Sequence, residues 1–302
     1  MKKACIGMLL VVLVATRLMA ADVADEGLKY WPQWRGPTWN GVASQADPPL
    51  TWSETENLRW KTPIAGSGCG TPIIWGERIF LLTAIRLDKK LPIPDVIPAG
   101  TPNINQNSLV IGSWQPQRFA IVCIGRTSGK LLWSRTVLEA MPHQGHHRKA
   151  GFASQSPVTD GQRVYASFGS FGLYCYDFDG QLVWKHAPQP RAMEDGLGEG
   201  SSPALFGNTL VMVVDQELQS YVVALDKRTG EEIWRQDRDE VSNWTTPRIF
   251  THGGRRQVVL NGATVRSYDF ATGELLWECG GQSLGAIPMP AIGHGLVFAA
   301  SG

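Results

Sequence analysis

Three imidazoles crowd into one stretch, Pro142-His143-Gln144-Gly145-His146-His147-Arg148. Histidines grouped in this way can offer ring nitrogens to a transition metal. Arg148 and Lys149 follow at once and no carboxylate stands beside the run, which favours a solvated or channel-rim loop over a metal site. A second stretch, Glu194-Asp195-Gly196-Leu197-Gly198-Glu199, could turn oxygens toward calcium. Its acidic spacing is not that of an EF-hand loop, which favours a capped turn between repeats over a calcium site. Asp215 and Asp239 have the chemistry of general bases, and Asn243 and Trp244 add an amide and an indole. An isolated Asp is ordinarily a turn or surface residue. Nothing resembles a GxSxG elbow, a P-loop or an HExxH helix.

The elements that must hold these groups come from an internal repeat. One unit runs from Ser154-Gln155-Ser156-Pro157-Val158 through Leu173-Tyr174-Cys175-Tyr176-Asp177, turns at Asp179-Gly180, and ends Leu182-Val183-Trp184. The next opens at Ser201-Ser202-Pro203, passes Val223-Ala224-Leu225-Asp226 and Thr229-Gly230, and ends Ile233-Trp234. A third runs from Thr245-Thr246-Pro247 to Leu276-Trp277, and an earlier, stretched one from Gly70-Thr71-Pro72 to Leu132-Trp133. The terminal Trp133, Trp184, Trp234 and Trp277 are 51, 50 and 43 positions apart, a span that suits one four-stranded propeller blade each.

Short apolar or alternating runs separated by Asp-Gly, Thr-Gly and Gly-Asn pairs give each unit four antiparallel strands, a to d, joined by tight turns. The Ser/Thr-Pro pair opens strand a, where a missing N–H is tolerated. The closing Trp sits on strand d and fills the wedge between twisted neighbouring sheets. Because every unit carries one, these indoles read as packing staples rather than ligand platforms. The predicted fold is all-β, a β-propeller with blades over about 70–133, 154–184, 201–234 and 245–277 and a partial fifth over 285–302.

The spacing Ala224-x-Asp226-x-x-x-Gly230-x-x-x-Trp234 is similar to the docking motif of pyrroloquinoline quinone (PQQ) type propeller repeats, and Ser267/Asp269/Gly273/Trp277 matches it with one change. Cys123/Gly125/Gly129/Trp133 keeps only the turn and the Trp, and Cys175/Asp177/Gly180/Trp184 is one residue short. Trp31-Pro32-Gln33-Trp34-Arg35-Gly36-Pro37, followed by Asn57-Leu58-Arg59-Trp60-Lys61, resembles exported PQQ-like propeller proteins of planctomycete-type bacteria. The resemblance implies a ring of seven or eight blades in which an N-terminal strand, here the one carrying Trp60, completes the last blade. Four blades, half a fifth and one orphan strand fall short of that, so the sequence reads as an open arc. The resemblance also implies that a quinoprotein dehydrogenase would hold PQQ with calcium, a catalytic Asp and an adjacent Cys-Cys disulfide. No Cys-Cys pair occurs.

A formal net charge of +1 excludes a strongly basic nucleic-acid binder or polybasic membrane-surface protein. Lys2 and Lys3, the apolar run Ala4 to Thr16 and Ala20 form a secretory signal over residues 1–20, too short to span a bilayer. The remaining chain, a 21–57 extension and the propeller from 58 to 302, is then periplasmic or secreted and has no transmembrane segment. Cys69, Cys123, Cys175 and Cys279 lack the CxxC spacing of a zinc site, and export permits disulfides among them. Cys123 and Cys175 share a repeat position with Ala224 and Ser267, which favours small buried filler.

In a propeller the b–c turns and d–a crossings share one face. That face collects the long insertion between about Arg86 and Arg118 together with His143, His146, His147, Glu194, Asp195, Asp215, Asp239, Asn243 and Trp244. Two functions follow. One is a non-catalytic exported scaffold, without cofactor, that binds protein or polysaccharide on this face. The other is a PQQ- and calcium-dependent oxidoreductase whose cofactor site lies partly in further blades.

Overall fold

The computed structural model describes residues 26–44, 46–92, 109–112, 115–186 and 190–301. Residues 1–20, read above as a secretory signal, and most of the long insertion lie outside the described residues. Blade 1 consists of β1 (Ile73–Trp75), β2 (Arg78–Arg86), β4 (Gln117–Gly125) and β5 (Leu131–Ala140). The insertion contributes β3 (Val110–Ile111), which pairs with β6 (His146–His147). Blade 2 is β7 (Val158–Thr159), β8 (Arg163–Ser167), β9 (Leu173–Asp177) and β10 (Leu182–His186). Blade 3 is β11 (Ala204–Phe206), β12 (Thr209–Val214), β13 (Ser220–Asp226) and β14 (Glu232–Arg238). Blade 4 is β15 (Arg248–His252), β16 (Arg255–Leu260), β17 (Val265–Asp269) and β18 (Leu275–Cys279), and a further hairpin joins β19 (Ala291–Gly293) to β20 (Leu296–Phe298).

Each blade is a four-stranded antiparallel meander in sequential order. Strand a begins one residue after the Pro in every case. The a strands of successive blades touch one another, β1 with β7, β7 with β11 and β11 with β15, so they form the inner edge of the array. Burial follows that radial order. In blade 3 the middle strands β12 and β13 are almost wholly buried because neighbouring blades cover both faces, whereas the outer β14 alternates buried and exposed residues.

The repeat positions are now explained residue by residue. Cys123, Cys175, Ala224 and Ser267 each pair across the ladder with Trp133, Trp184, Trp234 and Trp277. Cross-strand partners project to the same face, so a small side chain there leaves room for the indole. The register shifts at this pair in each blade, a bulge that re-aims the Trp. Aspartates cap the c–d turns: Asp226 Oδ1 accepts from the Arg228 amide at 2.7 Å, and Asp269 Oδ1 from the Ala271 amide at 2.9 Å. Gly125 stands at that position in blade 1, where the Ser128 hydroxyl accepts from the Lys130 amide instead.

The indoles dock forward. Trp133 donates to the Phe178 carbonyl, Trp184 to Lys227 and Trp234 to Phe270, at 2.9 to 3.0 Å, in each case the residue after the turn-capping Asp of the next blade. Trp60 does the same to Arg126 of blade 1 at 2.9 Å. Residues 58–60 are in no strand and form no ladder with residues 285–301, and the ring is not closed. Trp277 donates within its own blade, to Gln257 Oε1.

A second seam runs along the inner edge. The Thr71 amide donates to Ser156 Oγ, the Ser156 amide to Ser202 Oγ, and the Ser202 amide to Thr246 Oγ1, at 2.9 to 3.1 Å. The hydroxyls of Ser156, Ser202 and Thr246, each just before a Pro, thus satisfy a backbone amide of the preceding blade. Residues 26–41 cross these inner edges as a strap. Trp31 and Ile74 exchange backbone hydrogen bonds, the Thr159 amide donates to the Pro32 carbonyl, and Arg248 Nη2 donates to the Thr38 carbonyl.

Candidate functional site

The b–c and d–a segments interlock. The Met193 amide donates to Gln144 Oε1, the Ala192 amide to Gln216 Oε1, the Glu194 amide to Ser242 Oγ and the Trp244 indole to the Gly198 carbonyl. These bonds join segments that lie far apart in sequence, so the described parts of these loops hold one another in place.

The three histidines do not converge. His143 stacks on Phe171 at 4.2 Å, and its Nδ1 bonds Ser170 Oγ at 2.7 Å. His146 stands edge-on to Phe152, and its Nδ1 bonds the His147 carbonyl. His147 Nδ1 accepts from the Lys149 amide. Among the described residues no group of three His, Cys, Asp or Glu side chains could hold a metal ion. Burial holds the His143 pKa below the ordinary histidine value despite nearby Glu199, which keeps the ring neutral at pH 7.

His143 and His146 line a cavity of about 30 Å³ between blades 1 and 2, walled by Phe119, Phe152, Phe168 and Phe171. Gln144 Nε2 and Gln155 Oε1 are buried at this cavity without a partner. Its size suits one or two waters bridging the two amides. Glu199 closes one side, accepting from the Ser170 amide at 2.9 Å and pairing with the buried Arg191 at 2.7 Å. Gln144 and Glu199 lie in the two stretches singled out in the sequence, whereas Gln155, Ser170 and Arg191 escape a motif search because the cavity is assembled from separate segments.

Asp215 and Asn243 are buried rather than displayed on the loop face. Asp215 receives both Arg238 Nε at 2.8 Å and Nη2 at 3.1 Å, and Asn243 Nδ2 reaches Asp215 at 3.2 Å. Arg238 also donates to Tyr268 Oη, and the Ala286 amide donates to Asn243 Oδ1 at 2.7 Å. Burial pushes the Asp215 carboxyl up while Arg238 pulls it down. Burial also opposes the charge on Arg238, yet Asp215 holds that guanidinium above its ordinary value. The bidentate geometry decides for a charged pair. Glu240 is similarly enclosed, accepting from Arg266 and from the Ala263 and Thr264 amides. Glu194 and Asp239 remain exposed; Asp195 is half-buried in a tight turn with φ 51°, and Trp244 is half-buried.

The described residues of the histidine-loop face do not assemble a PQQ site. The one buried Asp among the sequence candidates is closed off by Arg238 and Asn243, and a cavity of about 30 Å³ is too small for a tricyclic quinone. Cys123 and Cys175 are fully buried free thiols in different blades, their pKa values pushed up by burial to about 11 and about 12. Cys69 and Cys279 are also free, at exposed positions.

Four-stranded antiparallel meanders repeated head to tail, with indoles docked on the next blade's turn, are the blades of a β-propeller fold. Residues 172–301 match the family model of the outer membrane protein assembly factor BamB. The fold is similar to BamB from Moraxella catarrhalis at 16% identity, over 60% of this chain and 51% of that one, with TM-score 0.36. It is similar also to the quinohemoprotein alcohol dehydrogenase of Comamonas testosteroni at 13% identity, over 72% and 35%, with TM-score 0.43. A third similar structure is quinohemoprotein alcohol dehydrogenase ADHIIG of Pseudomonas putida HK5, at 13% identity over 85% and 41%, with TM-score 0.48. The chain thus spans about half or less of each of these structures. No curated protein matches it. Among the described residues no helix is long and apolar enough to cross a membrane.

Proposed function

We infer that the chain is a non-catalytic, exported propeller scaffold whose b–c and d–a face binds a protein or polysaccharide partner. The observation that carries this reading is the engagement of the buried carboxylates at that face with arginine, asparagine and backbone amide partners. Asp215 is bonded to Arg238 and Asn243, Glu240 to Arg266, and Glu199 to Arg191 and the Ser170 amide. A general base must be able to reach the proton it abstracts, and these carboxylates are already spoken for. Rigid, interlocked loops instead suit recognition, since little ordering is lost on binding. The name of the family model, an assembly factor, supports a protein partner.

Two measurements test the reading. A photo-cross-linking residue at Glu194 or Asp239, both exposed on the loop face, should capture a discrete partner in the native cell envelope, whereas one at Gly207 or Gly253 on the opposite turns should not. Reconstitution with PQQ and calcium should give neither stoichiometric quinone absorbance nor dye-linked alcohol oxidation. Stoichiometric binding with turnover would sink the scaffold reading.

A further inference from the structure

On the face opposite the histidine loop, the strap and the a–b edge of blades 2 and 3 enclose a second pocket of about 520 Å³. Its walls are Leu28 and Trp39 from the strap, Trp75 from blade 1, Val158 from blade 2, and Leu205 and Phe206 from blade 3. That volume falls within the roughly 300–1,000 Å³ of small-molecule sites, which are mostly apolar with a few polar groups at fixed places.

The three aromatic walls are fixed by contacts of their own. The Arg256 guanidinium lies 3.7 Å from the Phe206 centroid and the Arg248 guanidinium 5.3 Å from that of Trp39, while Tyr30 packs on Trp75 at 5.4 Å. Such walls are in place before a ligand arrives, so binding costs little ordering. Leu28 and Phe206 nevertheless leave 54% and 40% of their surface to solvent, an area that an apolar occupant would remove from water.

Charge narrows the occupant. The ionic groups lining the pocket are Asp160 and Lys227, which bond each other at 2.8 Å. An anion therefore meets no unpaired cation in the lining, and a cation no unpaired carboxylate. The polar groups that remain at the rim are neutral amides, such as exposed Gln162 and Asn208. We propose that this pocket binds a small, uncharged aromatic molecule, held between Trp39 and Phe206 with buried Trp75 as part of the apolar wall. The site is separate from the loop face and does not depend on the scaffold reading.

The test uses the full chain and the neutral dye N-phenyl-1-naphthylamine, read by energy transfer from tryptophan. One saturating site per chain is expected. Leu28→Asn and Phe206→Ala should each weaken binding about tenfold, the loss typical of removing an apolar anchor. Leu132→Ser, at a comparably exposed leucine on the outer strand of blade 1, should leave binding unchanged. The anionic dye 1-anilinonaphthalene-8-sulfonate should bind about tenfold more weakly, because the lining offers it no unpaired cation. Circular dichroism matching the parent shows that each variant is folded. Non-saturating uptake, equal binding by all three variants, or equal affinity for the anionic dye would overturn the proposal.

Discussion

The indole of Trp184, which closes blade 2, lies across Gly230 in the turn of blade 3, so close that a β-carbon on that glycine would stand 2.6 Å from the ring. Gly230 also has φ 78°, a conformation that L-residues resist. Two penalties therefore coincide at one position. Gly230→Ala should destabilise the protein by about 2–4 kcal/mol, combining left-handed strain with overpacking. Gly207→Ala is the control: its φ is 57° but nothing lies near its missing β-carbon, so about 1 kcal/mol is expected. Urea unfolding of both variants separates the two terms, and equal losses would show that the indole contact adds nothing.

The hydroxyl seam gives a second expectation. Ser202→Ala removes the acceptor of the Ser156 amide and leaves a buried N–H without a partner, at a cost of about 1–3 kcal/mol. Ser202→Thr should retain most of the stability, since Thr246 already fills the equivalent place in blade 4. Denaturant midpoints that rank the serine and threonine forms close together and the alanine form well below would agree; an alanine form as stable as the parent would not.

Which of these features could be read from sequence follows from distance along the chain. The closing tryptophans, their small cross-strand partners and the turn glycines recur within about a dozen residues of one another, so repetition exposes them at once. The Ser/Thr before each Pro is equally regular, but its hydroxyl serves an amide in the preceding blade, 46 residues away in the case of Ser202. Local patterning suggests only that the pair opens a strand. Asp215 looked available for chemistry because its neighbours in sequence carry no cation. Its partner Arg238 lies at the far end of another strand. One signal was present: Asp215 directly follows the apolar run Leu210-Val211-Met212-Val213-Val214, where a carboxylate needs a partner.

That buried pair supplies a third prediction. Asp215→Ala strands the Arg238 guanidinium, and the loss should be about 3–5 kcal/mol. Replacing both, as Asp215→Leu with Arg238→Met, should recover much of it, because two apolar groups leave no buried charge unpaired. Thermal unfolding of the three proteins decides the matter. A double variant no better than the single would mean that Asn243 and Tyr268, which share the network, matter as much as the charge pair itself.

A fourth concerns pH. The His143 pKa is lowered in the folded protein by burial, so the unfolded chain takes up a proton at this position before the folded one does. Stability should therefore fall as pH drops below about 6.5, the ordinary histidine value, and should be fully present above it. His143→Gln removes this contribution. The difference in melting temperature between pH 7 and pH 5 should be smaller in the variant than in the parent, and an identical difference would exclude His143 as the source.

The forward docking of the indoles gives the array a direction. Each unit carries a knob, the tryptophan on its outer strand, and a socket, the glycine turn that receives its neighbour's knob; the hydroxyl seam has its own donor and acceptor sides in the same way. Both halves of every junction are thus encoded within a single repeat, and the contact is heterologous, never self-complementary. A unit copied by gene duplication and inserted between two others would find a socket on one side and a knob on the other without any change at the junction. Blade number in such an array is free to drift by whole repeats, while a lone substitution at a knob or socket weakens one junction and leaves the others intact.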